Sequence, residues 1–211
     1  MPGTVAILGC GGLGVPAAWT LALAGVTDLL LIDADVVELS NLHRQVLYDT
    51  RHLGRPKAQV LAEVLARRYG VQAEALVHRV QPDNLEAILA GCQAVIEATD
   101  DAASKFAVND WAVAGRAAGQ PRWACIAAAI GRRGQWFVVG PAGPDYRSVF
   151  EAPPPNEALA TCAIAGVLGP VTGITGALAA RSLLAALAAR PDGATGALLR
   201  WEPRGLLRTQ P

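Results

Sequence analysis

The chain has 211 residues, 18 Lys+Arg against 18 Asp+Glu, 52% hydrophobic residues and four cysteines. That length allows one α/β domain with a sizeable core, and the charge balance excludes the basic field that would argue for nucleic acid. The thiols Cys10, Cys92, Cys125 and Cys162 are too widely spaced for a disulfide framework or a zinc ligand set. With no signal peptide ahead of the first apolar run, they predict a reduced, cytoplasmic setting.

A first strand is expected over Val5–Leu8, running directly into Gly9-Cys10-Gly11-Gly12-Leu13-Gly14 and then a helix from about Gly12 to Ala24. A strand that turns at once into a helix needs residues that tolerate unusual backbone angles and keep side chains away from a phosphate. The helix start then offers unpaired N–H groups and a positive dipole end to an anion. The second strand, Leu29–Ile32, ends in Asp33 and Asp35. Asp33 falls near the spacing of about 20 residues at which an acid meets the ribose hydroxyls of a nucleotide. Together these features predict an adenine-nucleotide pocket.

Next comes Ser40-Asn41-Leu42-His43-Arg44-Gln45, in which no apolar periodicity accounts for Asn41, Arg44 and Gln45. Gly54-Arg55-Pro56-Lys57 opens an amphipathic helix with Val60, Leu61, Val64 and Leu65 on its apolar side. A lysine in the first turn opposes the helix dipole, and Lys57 and Lys105 are the two lysines of a chain that otherwise uses arginine. Either Lys57 faces an anionic partner, or it is an exposed helix-start residue.

Further strands are expected at Ala75–His78, Ala94–Glu97 and Trp123–Ala127, followed by an antiparallel strand at Gln135–Val139. Asp100 and Asp101 follow the fourth strand, at the sheet end where an open α/β fold binds ligands. A helical pattern begins straight after them, so an N-cap and first-turn acid is the competing reading. The Pro/Gly-rich stretch from Pro141 to Pro155 predicts a mobile crossover loop spanning about residues 141–162. The uncharged run Ala163 to Ala180 carries four glycines, Thr172, Thr175 and Pro170. It suits a small-residue helix packed closely on another backbone, continuing through Ala189, better than a lipid span. A hairpin is expected around Ala197–Trp201 and Leu206–Arg208. His43, His52 and His78 show no ligand spacing, and Cys10, Cys92 and Cys125 read as small buried hydrophobes.

Five of these segments carry a family resemblance. Gly9-x-Gly-Gly-x-Gly14, Asp33-x-Asp35-x-Val37-x-x-Ser40-Asn41-Leu42-x-Arg44-Gln45, Gly54-x-Pro56-Lys57, Ala98-Thr99-Asp100-Asp101 and Cys162-x-x-Ala165-Gly166-Val167-Leu168-Gly169-Pro170 closely resemble the ThiF/MoeB/HesA family. Its members are bacterial relatives of ubiquitin-activating enzymes. The resemblance implies an α/β, Rossmann-like, doubly wound, mostly parallel sheet with antiparallel C-terminal strands, in a single adenylation domain over residues 1–211. It further implies ATP-dependent adenylation of the C-terminal glycine of a small ubiquitin-like carrier ending in Gly-Gly, usually for sulfur transfer towards thiamine, molybdopterin or a related product.

On this resemblance Gly9, Gly11, Gly12 and Gly14 form the nucleotide turn, Asp33 and Asp35 belong to the nucleotide site, and Asp33 holds the ribose. Asn41, Arg44, Gln45 and Lys57 surround the phosphates, and Asp100 binds Mg²⁺. Asp101 stands where the family commonly has Asn. Cys162 is at a position where some relatives form a sulfur-linked adduct with the carrier. The glycine-rich helix would lie at a homodimer interface. Neither nucleic acid nor membrane is an expected partner.

Two departures stand out. Full-length relatives carry an Arg-Tyr-x-Arg-Gln-like segment ahead of the first strand, whereas Met1-Pro2-Gly3-Thr4 leads straight into it here, which suggests a short form. Many relatives hold zinc on two Cys-x-x-Cys pairs. Here the first pair would fall at Asp145-Tyr146-Arg147-Ser148, so no zinc is expected. Two other readings remain open: a nucleotide-binding scaffold of the same family without turnover, and an NAD-dependent oxidoreductase, which the glycines and Asp33 alone would permit.

Overall fold

The computed structural model describes residues 3–153, 166–190 and 195–209. Its strands are β1 (Thr4–Leu8), β2 (Asp28–Ile32), β3 (Gln72–Leu76), β4 (Cys92–Glu97), β5 (Trp123–Ile130), β6 (Arg133–Val139), β7 (Leu198–Glu202) and β8 (Gly205–Thr209). They form one sheet in the order β3-β2-β1-β4-β5-β6-β7-β8. The first five are parallel, and β6, β7 and β8 continue antiparallel. The helices are α1 (Gly14–Leu23), α2 (Lys57–Tyr69), α3 (Leu85–Ile88), α4 (Ala102–Ala117) and α5 (Gly169–Leu187).

Both faces of the sheet are covered, which is why the central strands read as continuous apolar runs rather than alternating ones. On one face Val5, Ile7, Leu29, Leu31 and Ile96 meet α1, α2 and α5. On the other, Ala6, Leu8, Val95 and Ile126 meet Leu85 of α3 and Phe106 and Trp111 of α4. The chain leaves β1 towards β2 on one side and later returns to place β4 on the other. The carboxyl ends of β1 and β4 therefore flank a topological switch point, the place where such sheets open a ligand crevice.

Helix α5 starts with Pro170 in its first turn, where the missing N–H costs nothing. It lies very close to its neighbours: a Cβ added at Gly176 would sit 2.2 Å from the Leu13 carbonyl oxygen, and one at Gly134 of β6 would sit 1.7 Å from Thr175 Oγ1. The small residues thus serve close backbone packing within the chain. By length and composition α5 could cross a membrane, but 56% of it is buried against the rest of the fold.

The structure moves two expected elements. Strand β3 occupies Gln72–Leu76, not Ala75–His78. Gly70, left-handed at φ 67°, ends α2, and the Gln72 N–H then donates to Thr27 O at 2.8 Å. Pairing with β2 thus begins earlier than the apolar run Ala75-Leu76-Val77 suggests. Helix α5 begins at Gly169 rather than Ala163. Gly166 is left-handed at φ 62°, Val167 bridges Gly131, and the Leu168 N–H donates to Gly131 O at 3.2 Å. Residues 163–165 lie outside the described residues.

The expected mobile loop is also corrected over its first part, residues 141–153. Tyr146 is buried among Phe106, Phe137 and Phe150, and its N–H donates to Asn109 Oδ1 at 2.8 Å. Arg147 pairs with Asp110 at 2.7 Å, while Arg116 donates to the carbonyls of Gly140 and Gly143. These contacts tie the segment to α4.

Candidate active site

The turn after β1 is shaped by close backbone approaches. Gly9 has φ 88°, and its N–H donates to Ile32 O at 2.8 Å. A Cβ on Gly14 would lie 1.8 Å from the Gly9 carbonyl oxygen, so Gly14 closes the turn instead of lining the cleft. Gly11 has only Gln45 Nε2 near it, 3.6 Å from an added Cβ. No side chain caps the start of α1, and its first turn holds no acid. Its orphan N–H groups are left to an anion.

Asp33, just past β2, clamps this turn. Its Oδ2 accepts from the Cys10 N–H at 2.7 Å and its Oδ1 from the Asp35 N–H at 2.8 Å. Burial pushes its carboxyl above the usual value, against the pull of these two hydrogen bonds and of Lys57. Tyr48 fastens the turn from behind, its hydroxyl reaching the carbonyls of Cys10 at 2.8 Å and Lys57 at 3.1 Å. Burial raises the Tyr48 hydroxyl and the Cys10 thiol well above their ordinary values, so both stay neutral.

Lys57 is buried, contrary to the exposed helix-start reading. Its Nζ is 2.9 Å from Asp35 Oδ2, and its N–H donates to Asp35 O at 2.9 Å. The anionic partner it finds within the chain is thus Asp35, whose side chain is 59% exposed. Arg44 Nη2 donates to Asn41 Oδ1 at 2.5 Å, and Asn41 Nδ2 donates to Glu38. Gln45 is 2% exposed, and its Oε1 has no hydrogen-bond partner among the described residues.

The two acids after β4 separate in role. Asp101 caps α4, accepting from the Ser104 N–H and hydroxyl, each at 2.7 Å. Burial pushes its carboxyl up, but the Ser104 hydrogen bonds prevail and hold it below the ordinary value. Asp100 is exposed and lines the cleft.

Of the sequence-predicted residues, Gly9, Gly11, Gly12, Asp33, Asp35, Asn41, Arg44, Gln45, Lys57 and Asp100 all line one cleft. Gly14 does not, and Cys162 lies outside the described residues. The cleft, about 1550 Å³, continues past Ala128 and Ile130 to Gln135 and Arg200. Pockets for one small molecule typically enclose about 300–1,000 Å³, so there is room for a nucleotide and a second reactant.

The residues fit a nucleoside triphosphate: a glycine cradle, an uncapped helix start and two cations converge. One unengaged carboxylate also suits Mg²⁺, which takes one or two carboxylates and completes its shell with phosphate oxygens and water. At the position expected for a first cysteine pair, Asp145 caps the turn Tyr146–Ser148 by accepting from the Arg147 N–H at 2.8 Å. Cys92 is partly buried against the core rather than fully so, and burial raises its thiol to about 11.

The sequence reading missed Tyr48, Thr172, Glu97 and Lys105. Thr172 of α5 abuts Gly12, its Oγ1 3.0 Å from an added Cβ. Glu97 is fully buried and bonded to Lys105 Nζ at 2.5 Å. A carboxylate ending an apolar strand demands a buried partner, and one of the two lysines stands eight residues on. That signal was present in the sequence.

Comparison with known proteins agrees with this geometry. The chain is 37% identical over 201 residues to the "Adenylyltransferase and sulfurtransferase MOCS3" of Xenopus laevis, covering 94% of this chain and 44% of that protein. It is 39% identical over 187 residues to the "Adenylyltransferase and sulfurtransferase uba4" of Aspergillus niger, covering 83% and 38%. The chain thus spans less than half the length of these relatives. Among solved structures, E. coli MccB with ATP superposes with a TM-score of 0.83 at 20% identity, covering 99% of this chain and 64% of that one. MccB with AMPCPP and MccA gives 0.81 at 21% identity, covering 100% and 63%. At such identities the likeness is one of fold. The ThiF family matches residues 3–204, nearly the whole sheet and its cleft, and the chain belongs to that family.

Proposed function

We propose that this chain is an adenylyltransferase that uses ATP to activate the C-terminal glycine carboxylate of a ubiquitin-like carrier ending in Gly-Gly, in the cytoplasm, as a step of sulfur transfer. The observation that carries the proposal is the convergence of a phosphate cradle, Arg44, Lys57 and Asp100 in one cleft large enough for two reactants. The names of the relatives support it, as does the pairing of a nucleotide analogue with MccA in a structure of the same fold.

In this reading Asp33 holds the ribose. The start of α1, Asn41, Gln45, Arg44 and Lys57 hold the phosphates, Lys57 exchanging its Asp35 contact for phosphate oxygen. A carrier carboxylate oxygen attacks the α-phosphorus, the bond to the bridging oxygen breaks, and pyrophosphate leaves with that electron pair. No general base is needed, because the nucleophile is already ionised, so positioning and preorganised charge carry the catalysis. Asp100 would hold Mg²⁺ beside the phosphates, and the ion supplies charge neutralisation there. Cys162, as a thiol acting after adenylation, belongs to the proposal. So does a homodimer, supported by the exposed Ile174 beside an open Gly173 on α5.

The test is pyrophosphate exchange into ATP, with and without a Gly-Gly-ended carrier recovered by pull-down. Carrier-dependent exchange is expected. Nucleotide binding without exchange would overturn the enzyme assignment in favour of a nucleotide-holding scaffold.

A further inference from the structure

Glu97 ends β4 with a carboxylate that is 0% exposed. Such a group is costly unless its lone pairs are filled. Its Oε2 accepts from Lys105 Nζ at 2.5 Å, and its Oε1 accepts from both the N–H and the hydroxyl of Thr99. An ammonium has three N–H bonds, and the remaining two of Lys105 meet the carbonyls of Thr99 at 2.8 Å and Ala127 of β5 at 2.9 Å. The Thr99 hydroxyl also accepts from the Asp101 N–H at 3.2 Å, while the Asp101 side chain caps α4.

One ammonium and one carboxylate therefore tie together the end of β4, the neighbouring strand β5 and the first turn of α4. Among the described residues, this turn leaves the Asp100 carboxylate exposed towards the cleft without a hydrogen bond of its own. A buried ion pair is weak evidence for stability, since apolar groups of similar volume often do as well. Apolar groups could not bind two backbone carbonyls and fix the path of a turn.

We propose that Lys105, Glu97 and Thr99 are positioning residues that set the place of the Asp100 carboxylate and thereby the divalent-cation affinity of the nucleotide-bound protein. The inference rests on the proposed role of Asp100 in the adenylation reading. Outer groups that orient a metal-binding side chain commonly change affinity when removed, without touching the metal.

The test uses Thr99→Ala, its conservative counterpart Thr99→Ser, and the double variant Glu97→Gln/Lys105→Met, which leaves no uncompensated buried charge. Binding of Mn²⁺ is measured by electron paramagnetic resonance in the presence of AMPCPP. Binding of AMPCPP alone is measured by calorimetry in a chelator. Thr99→Ala and the double variant should bind Mn²⁺ about 10- to 100-fold more weakly, with metal-free AMPCPP binding unchanged and Thr99→Ser restored. Wild-type Mn²⁺ affinity in Thr99→Ala would overturn the proposal, as would an equal loss of metal-free AMPCPP binding, which marks a merely structural role. Should the double variant not fold, Thr99→Ala against Thr99→Ser still decides. Pyrophosphate exchange by the wild type, run alongside, separates the two claims. Mn²⁺ binding that responds to these changes without exchange sinks only the adenylation reading, and exchange with unresponsive Mn²⁺ binding sinks only this one.

Discussion

At the scale of single residues, Arg44 and Lys57 are the cations that most directly test the site. Lys57 is buried, yet among the described residues its ammonium pairs with a largely exposed carboxylate alone, so its loss leaves Asp35 free to be hydrated. Lys57→Ala and Arg44→Ala should therefore fold nearly normally. Each should lower kcat/KM for pyrophosphate exchange about 10- to 150-fold, equivalent to the roughly 1.5–3 kcal/mol of a hydrogen bond to a charged group. Unchanged exchange in both, with nucleotide still bound, would remove the adenylation reading. The identity of these residues was legible in the sequence because nothing apolar explained them. Their surroundings were not: that Lys57 is buried and meets Asp35 depends on how α2 abuts the end of β2.

At the scale of elements, α5 offers a paired test. Gly176 meets the Leu13 carbonyl, whereas nothing lies within 4 Å of a Cβ added at Gly173. Gly176→Ala should cost at least the roughly 1–3 kcal/mol typical of overpacking, while Gly173→Ala should gain up to about 1 kcal/mol of helix propensity. Thermal melts that show the two variants alike would refute the packing described here. The segment after β6 provides a second test. The Arg147 guanidinium holds the Asp110 carboxyl below its ordinary value, against a smaller upward push from burial. A carboxyl lowered in the folded state contributes stability above the unfolded-chain value of about 3.9. That contribution is lost as the pH falls through the lowered value. Asp110→Asn should flatten this part of the acid unfolding profile below about pH 4; an unchanged slope would show that the pair does not hold the segment.

At the scale of the whole molecule, the switch point between β1 and β4 and the antiparallel run β6–β8 distinguish the readings. A dinucleotide fold of the usual kind repeats its mononucleotide-binding half with further parallel strands; here the sheet turns antiparallel after β5 and the cleft runs along it. ATP with Mg²⁺ at 100 times its Kd should stabilise the protein by about 2.7 kcal/mol, and NAD(H) should not shift the melt. Stabilisation by NAD(H) alone would reverse the assignment. Elemental analysis should find no stoichiometric zinc, since Cys10, Cys92, Cys125 and Cys162 form no paired-cysteine spacing; one tightly bound zinc per chain would reveal an unforeseen ligand set.

The sequence by itself determined the family, the alternation of strands and helices, and most of the singled-out residues that line the cleft. Those signals are local: glycines at a strand-to-helix turn, an acid at a fixed spacing, apolar runs of strand length. It did not determine where β3 begins or where α5 begins, because pairing with β2 and with Gly131 sets those ends. It could not assign the helix cap between Asp100 and Asp101, adjacent residues of one type that only the turn geometry separates. The Glu97–Lys105 pair left a signal in the sequence, an acid ending an apolar strand with one of the two lysines eight residues on, but only burial of β4 beneath α4 makes one the necessary partner of the other.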